Sequence, residues 1–309
     1  MPMRSGKLNH NRVALWLMAL AVLSAVTACK QNAKQPDSSK QPYEVVVAGD
    51  ATGLLAQVLQ TDAECLPQPE PQFDVRKAPR LEGYYQYCRA IVVPTPTTFH
   101  VAYNQFAHPQ IVVYARPADS LMLRATLRGF ENNVQSTELR HQLNADAMQQ
   151  LKRRLGVSLV VPMEMTASQY RRNFAWLSNN QAAVMTNLVV FRVPCNKTTV
   201  SAADIEQLRN RVLGKYIKGE TNRMYMSTVP GSVRQMPPVV LKGKLYNRLP
   251  FFEGLWQMEH DAMGGPFVCR VKLDAGHHQL IYAEGFVYGP GYKKRNAIRR
   301  LEAVLYTLK

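Results

Sequence analysis

The stretch FFEGLWQMEHDAMGGPFVCRVKLD, residues 251–274, decides the fold class, because apolar and polar side chains alternate on both sides of a glycine-rich turn. Such alternation is typical of antiparallel strands that bury one face. A four-residue loop at 263–266 would place Trp256 opposite Leu273 on the apolar face. Another apolar run follows at residues 280–288. The C-terminal part of the chain therefore predicts an antiparallel sheet.

Earlier in the chain, apolar runs alternate with helical patterns. Residues 43–60, 111–155 and 188–217 each begin with a β-branched run, pass through a turn and continue at helical spacing. The second of these helices is expected to break near Asn132 and Asn133. We expect an α+β fold with a mostly antiparallel mixed sheet and helices packed on it, as one domain or as two related lobes. A doubly wound α/β fold is the alternative.

The N-terminal residues resemble a secretory signal sequence. Three basic residues precede an apolar run at 13–26, and the tetrad VTAC that ends at Cys29 looks like a bacterial lipobox. The run is shorter than the ~20 apolar residues that a membrane helix needs. We therefore expect a lipoprotein signal peptide at residues 1–28 and lipidation, with palmitate as one of the acyl chains, at Cys29.

Residues 30–42, KQNAKQPDSSKQP, predict a flexible tether, because they contain almost no apolar surface to bury. The expected organisation is therefore a lipidated tether at residues 29–42 and a globular domain at residues 43–309, with a sub-boundary near residue 180 if there are two lobes. The anchor predicts a protein of the bacterial cell envelope, in the outer membrane. It leaves open whether the protein faces the periplasm or the cell surface.

The chain is strongly basic. Its formal net charge of +16 falls to +13 when the three basic residues of the signal peptide are removed. No nucleic-acid-binding signature accompanies this charge. A solvated basic surface without a dedicated partner is the favoured explanation, and contact with anionic lipid or envelope polysaccharide is the alternative, with an unidentified envelope protein as a further partner. The candidates for contact with an anionic surface are the basic residues of the last helix: Lys293, Lys294, Arg295, Arg299 and Arg300.

Motifs for catalysis are sparse. The chain has no phosphate-binding loop, no G-x-S-x-G nucleophile and no zinc-ligand spacing, so no cofactor or metal site is predicted. The remaining candidates for general acid–base chemistry are Glu259, Asp261 and Glu284. Cross-strand ion pairing, with Glu259 opposite Arg270, is the favoured explanation of these carboxylates, because no nucleophile or metal cluster accompanies them. Whether Cys65, Cys88, Cys195 and Cys269 form disulfides stays open, because four cysteines allow three pairings or none.

Three segments together resemble a known family. Residues 251–268, 283–288 and 294–309 are similar to the Bacteroidota lipoproteins grouped as domain of unknown function 4837, and the proline-rich segment 66–71 also fits them. The resemblance extends over essentially the whole mature chain. It implies an exported envelope lipoprotein and supplies no activity, cofactor or catalytic residue.

The expected function is therefore a non-enzymatic binding or assembly role in the cell envelope. The alternative is a periplasmic hydrolase that acts on a glycan or a peptide through a carboxylate pair. In a glycoside hydrolase the two carboxyl groups would line a concave pocket about 5 to 9.5 Å apart.

Overall fold

The computed structural model describes residues 35–309 except residues 40, 222, 237–239, 242–243 and 246–248. The expected signal peptide at residues 1–28 and the lipidation site Cys29 lie outside the described residues. Within the described part, the chain folds into an N-terminal lobe, up to Leu139, and a C-terminal lobe, from Ala145, each built around one large β-sheet.

The N-terminal lobe contains a five-stranded sheet in the order β2-β1-β3-β5-β4. Strands β2, β1, β3 and β5 are parallel, and β4 is antiparallel to β5. Helices α1 and α2 cover one face of the sheet, where their leucines and Phe130 pack against the valines of the strands. The elements of this lobe are β1 (Glu44–Ala48), α1 (Leu54–Leu59), β2 (Asp74–Ala78), β3 (Ala90–Pro94), β4 (His100–Tyr103), β5 (Ile111–Ala115) and α2 (Ser120–Leu139).

The C-terminal lobe contains an eight-stranded sheet in the order β10-β13-β14-β15-β8-β7-β6, with β9 paired to β13. All its strand pairs are antiparallel. The elements are α3 (Ala145–Leu155), β6 (Ala167–Arg171), β7 (Phe174–Ser178), β8 (Met185–Pro194), α4 (Ala202–Tyr216), β9 (Met226–Thr228), β10 (Arg234–Gln235), β11 (Val240–Leu241), β12 (Lys244–Leu245), β13 (Phe251–Met258), β14 (Gly264–Asp274), β15 (Gln279–Tyr288) and α5 (Arg295–Leu305).

Helices cover both faces of the eight-stranded sheet. Helices α3 and α5 pack on one face and α4 packs on the other, so that the lobe has three layers and two separate apolar cores. Alternation along each strand supplies both cores, because successive side chains point to opposite faces. On β13, for example, Phe251 belongs to the first core and Phe252 to the second.

The predicted α+β class and the mostly antiparallel main sheet are confirmed. The sheet of the N-terminal lobe, however, is mostly parallel and therefore has the character of the α/β alternative. The two large sheets differ in strand number and direction, so the shared pattern of strand, turn and helix does not extend to a shared topology. Residue 180, the expected sub-boundary, lies in the connection between β7 and β8 of one sheet, and the change of sheet occurs between Ala115 and Ala167.

The expected helix break near Asn132 and Asn133 is wrong, since both residues lie inside α2. Asn132 is buried there, where its side chain accepts a hydrogen bond from the Tyr43 hydroxyl (2.9 Å) and donates one to Glu302 (3.0 Å). The next helix instead starts after Asn144, whose side chain accepts from the backbone N–H of Ala147. A long-range partner therefore satisfies an asparagine that would otherwise favour a turn.

The folded body includes residues before Tyr43. Ser38 is buried, its backbone N–H donates to the carbonyl of His108 (3.1 Å), and its hydroxyl donates to the carbonyl of Pro109 (2.5 Å). The Gln35 side chain donates to the carbonyl of Asn104 (2.7 Å). Residues 35–39 of the expected tether thus contact the N-terminal lobe, because their backbone groups find partners in the loop that precedes β5.

The register expected for β13 and β14 is wrong. Trp256 pairs with Gly265 instead of Leu273, and the loop lies at residues 259–263 instead of 263–266. Gly264 and Gly265 belong to β14, where they pair with Gln257 and Trp256. A Cβ at Gly265 would lie 2.1 Å from the Val287 carbonyl oxygen and 3.0 Å from the Trp256 indole nitrogen. The indole N–H donates to that same carbonyl (3.1 Å), so the site requires a residue without a Cβ.

Candidate functional site

The three carboxylates considered for catalysis do not form one accessible site. Glu284 is fully buried, and its oxygens accept hydrogen bonds from Arg209 Nε and Nη2 (2.9 Å each) and from the Tyr282 hydroxyl (2.5 Å). Arg209 also donates to the Ser227 carbonyl (2.9 Å). A carboxylate closed in this way has no route to a substrate, so Glu284 is a structural ion-pair partner.

Glu259 and Asp261 lie in the loop between β13 and β14. The Glu259 carboxylate accepts from Ser227 Oγ (2.5 Å) and from Gln257 Nε2 (3.0 Å), and these two hydrogen bonds lower the pKa of Glu259. Asp261 accepts from the backbone N–H of Ala262 within the same loop (2.7 Å). Glu259 does not face Arg270, whose neighbours across the sheet are Phe251 and Ala283.

The basic residues of α5 are not an exposed stripe. Lys294, Arg295 and Arg299 are buried, Arg300 pairs with Glu164 (2.9 Å), and only Lys293 of the five candidates is exposed. Burial therefore removes Lys294, Arg295 and Arg299 from the expected contact with an anionic surface, whereas Lys293 is exposed and Arg300 is half-buried. The charges of the three buried residues are used inside the protein.

Helix α5 holds the proline-rich connector that precedes β2. The Glu70 carboxylate accepts from the backbone N–H groups of Lys294 (2.6 Å) and Arg295 (3.0 Å) and thereby caps the start of the helix. Arg295 pairs with Asp74 and donates to the Pro71 carbonyl (2.6 Å). The two lobes are consequently joined by charged hydrogen bonds and not only by the chain.

A cavity of about 270 Å³ lies between the lobes, and we call it the interlobe cavity. The connector, α2, the β10–β13–β14 edge and α5 each contribute to its wall. Its lining residues are Ala63, Glu64, Cys65, Leu66, Gln72, Arg124, Ala125, Arg128, Arg234, Gln235, Met236, Glu253, Phe267, Val268, Arg295, Ile298, Arg299 and Glu302. None of Glu259, Asp261 and Glu284 is among them.

The lining carries five arginines and three carboxylates, and each of these carboxylates already has an arginine partner. Glu302 accepts from Arg128 (2.8 Å), whereas Glu253 and Glu64 both pair with Arg234. Arg295 pairs outside the lining, with Asp74. Among the described residues, no carboxylate lies within 4.0 Å of the remaining two, Arg124 and Arg299.

Arg299 is the more deeply placed of these two, with 4 % of its surface exposed. Its guanidinium lies over the Tyr43 ring (4.5 Å) and donates to the carbonyl (2.7 Å) and side-chain oxygen (2.5 Å) of Gln72. These two bonds use two of its five N–H groups. Burial and the nearby Arg128 lower the pKa of Arg299 to about 10, which leaves it charged at neutral pH.

A buried charge without a counter-ion is costly, because desolvation of an ion in a protein amounts to several kcal/mol. A carboxylate or a phosphate in the interlobe cavity would offset that cost and would match the fork of guanidinium N–H groups. The arrangement can therefore bind an anion. It offers no activated nucleophile, since burial raises the pKa of Cys65, the thiol in the lining, to about 12.

Sequence reasoning missed Arg124 and Arg128. They are four residues apart and so share one side of α2, next to the stripe formed by Leu123 and Leu127. Two cations beside an apolar stripe are the signal that could have identified them. Nothing local connects them to Arg299, which is far away in the chain.

Other candidate chemistry is absent from the described part of the chain. Its cysteines, Cys65, Cys88, Cys195 and Cys269, are unbridged. Among the residues described, no three histidine, cysteine or acidic side chains are grouped so as to hold a metal ion. The same residues include no helix with the length and apolar character needed to cross a bilayer.

Two family models match the chain. One is described as Domain of unknown function (DUF4837) and matches residues 144–307, a little over half of the chain. The other is described as Domain of unknown function (DUF8532) and matches residues 38–156, which include the proline-rich connector. The resemblance expected over the whole mature chain thus holds for the C-terminal lobe, while the N-terminal lobe matches a second family. No curated protein matches the chain.

Proposed function

The chain belongs to the family described as domain of unknown function DUF4837, and we propose that it is a lipid-anchored protein of the bacterial cell envelope that binds a small anion in the interlobe cavity. The observation that carries the proposal is the surplus of arginines in the lining. Among the described residues, Arg124 and Arg299 have no carboxylate within 4.0 Å, whereas Glu64, Glu253 and Glu302 are all paired with arginines.

Binding is favoured over hydrolysis by the placement of the carboxylates. A hydrolase of the expected kind needs two carboxylic groups on opposite sides of one concave site. Glu284 is sealed by Arg209, and the lowered pKa of Glu259 makes it a poor proton donor at neutral pH. Anion binding requires none of these residues, and no described contact favours a periplasmic hydrolase as a second candidate.

The envelope part of the proposal is supported by the lipobox at Cys29 and by the position of Gln35. Five residues separate Cys29 from Gln35, and six extended steps of the chain reach about 20 Å. The N-terminal lobe would then lie close to the outer membrane, where anionic lipid or polysaccharide is the surrounding charge. We also propose that the protein binds another protein of the cell envelope.

Fatty-acid labelling tests the anchor. When cells that make the protein are grown with a clickable palmitate analogue, we expect label on the wild-type chain and none on the Cys29→Ser variant, because the sulfur that accepts the diacylglycerol is missing. Detection of the purified chain after electrophoresis gives the result. A variant that is labelled as strongly as wild type would contradict lipidation at this cysteine.

Calorimetric titration tests the cavity. We expect the mature protein to bind acetate or inorganic phosphate, and we expect Arg299→Met to weaken that affinity about 10- to 100-fold, since a hydrogen bond to a charged group contributes about 1.5–3 kcal/mol. Methionine keeps much of the apolar stem that packs on Tyr43. Arg124→Met provides an independent test, since the Arg124 guanidinium donates a hydrogen bond of 3.4 Å to the Val58 carbonyl and has no carboxylate partner among the described residues.

Arg300→Met is the matched control. Arg300 is the next residue on α5, pairs with Glu164 and does not line the cavity. Its replacement should leave anion affinity within about twofold of wild type, because rim charges outside the site contribute little. Equal affinities in wild type, Arg299→Met and Arg124→Met would contradict binding in the interlobe cavity, as would the absence of binding to either anion.

A further inference from the structure

The lining of the interlobe cavity is also partly apolar. Leu66, Met236, Val268 and Ile298 line it, and all four belong to or pack on the core that α3 and α5 form with the large sheet. A site built only for inorganic phosphate or acetate would leave this surface facing water. Contact with hydrocarbon is favourable there, at about 25 cal/mol for each Å² removed from water.

The volume of the cavity is that of a small-molecule site. It measures about 270 Å³, close to the roughly 300–1,000 Å³ that ligand pockets span. A charged head with a short hydrocarbon tail fits a site of that size.

The cavity is open on one side. Ala125 of α2 is exposed although it lines the cavity, and the Glu64 side chain, also in the lining, is 60 % exposed. A ligand can therefore enter between α2 and the connector. Arg124 lies next to this opening, and Arg299 lies deeper.

We infer that the ligand is a small amphiphilic anion, with a carboxylate or phosphate head on Arg124 and Arg299 and a short aliphatic tail on the apolar residues of the lining. This inference rests on the proposed anion-binding function. It adds a second requirement for the ligand, an aliphatic tail, because the contact of the tail with apolar side chains contributes to affinity together with the charge of the head.

A chain-length series tests the inference with the full mature protein. Affinity is measured by calorimetry for acetate, butyrate, hexanoate and octanoate, and in a second arm for inorganic, butyl and hexyl phosphate. We expect about a fourfold gain in affinity for each buried methylene, which corresponds to about 0.8 kcal/mol, and no further gain once the cavity is filled. The arm with the tighter binding identifies the head group.

Leu66→Ser and Leu81→Ser are a matched pair of variants for this series. Both leucines are half-buried, but Leu66 lines the cavity and Leu81 packs on the opposite face of the N-terminal sheet. We expect Leu66→Ser to weaken octanoate binding about tenfold without changing acetate binding. Leu81→Ser should change neither.

The outcomes separate this inference from the proposed function. Binding of acetate or phosphate with no dependence on chain length would overturn the amphiphile and leave the anion site in place. Octanoate binding that is insensitive to Leu66→Ser would place the tail elsewhere and would also overturn it. Absence of binding in both arms would overturn the amphiphile and the anion site together.

Discussion

Replacing Arg209 by methionine should lower the free energy of unfolding by about 3–5 kcal/mol, because the change leaves the Glu284 carboxylate buried without its partner. Both side chains are fully buried, and two hydrogen bonds of 2.9 Å join them between α4 and β15. The Arg209 guanidinium also lies over the Phe267 ring at 4.2 Å, so its stem and charge are both enclosed by the core.

Urea unfolding of the purified mature chain measures this loss. Arg211→Met is the control, because Arg211 is exposed on the same helix and its replacement should cost less than about 0.5 kcal/mol. The double variant Arg209→Met with Glu284→Met should be more stable than Arg209→Met alone, since it removes the uncompensated charge. Equal stability of wild type and Arg209→Met would show that the pair is not closed to water.

Replacing Trp256 by alanine should cost about 3–5 kcal/mol, as expected for the truncation of a large buried aromatic side chain. The Trp256 ring is 2 % exposed and packs edge-on against Phe286, with 5.5 Å between ring centroids. Its indole N–H donates to the Val287 carbonyl (3.1 Å). Trp256→Phe should therefore lose less than alanine, because it retains most of the packing but not the hydrogen bond.

Glu259→Gln serves as the comparison on the same hairpin. Its carboxylate lies in the loop and bonds only to Ser227 and Gln257, so its replacement should have a much smaller effect on the urea midpoint than Trp256→Ala. The order of the two variants is the decisive result. A larger loss in Glu259→Gln would mean that the strand is displaced by an odd number of residues, which would exchange the buried and exposed faces.

The hairpin of β13 and β14 shows how much of the structure could be predicted from the sequence. The sequence predicts Trp256 and Leu273 on one apolar face, and Leu273 packs on the core to which Trp256 belongs, although the observed pairing is displaced by eight residues along β14. Because side chains alternate with a period of two, an even displacement leaves each on its own face. The two-residue alternation along a strand determines which face of the sheet a side chain occupies. The pairing register depends instead on the fit of Trp256 over Gly265, which no local sequence pattern encodes.

Local sequence also determines where a helix starts. At the start of α4, the Ser201 hydroxyl accepts from the backbone N–H of Asp204 (3.2 Å), and the Asp204 carboxylate accepts from the backbone N–H of Ser201 (2.9 Å). Such a capping box involves residues three apart, so the sequence contains all of it. The helix break expected near Asn132 is wrong for the opposite reason, since the hydrogen-bond partners of its side chain, Tyr43 and Glu302, come from distant parts of the chain.

The sequence by itself therefore determined the α+β class, the faces of the strands and the caps of helices, because each depends on residues a few positions apart. The tertiary structure decided what the charges do. Arg299 has the same sequence pattern whether it faces water or Gln72, and only the folded chain brings it to that residue and to Arg128. Desolvation and pairing depend on neighbours in space, so the interlobe cavity could not be predicted from local sequence.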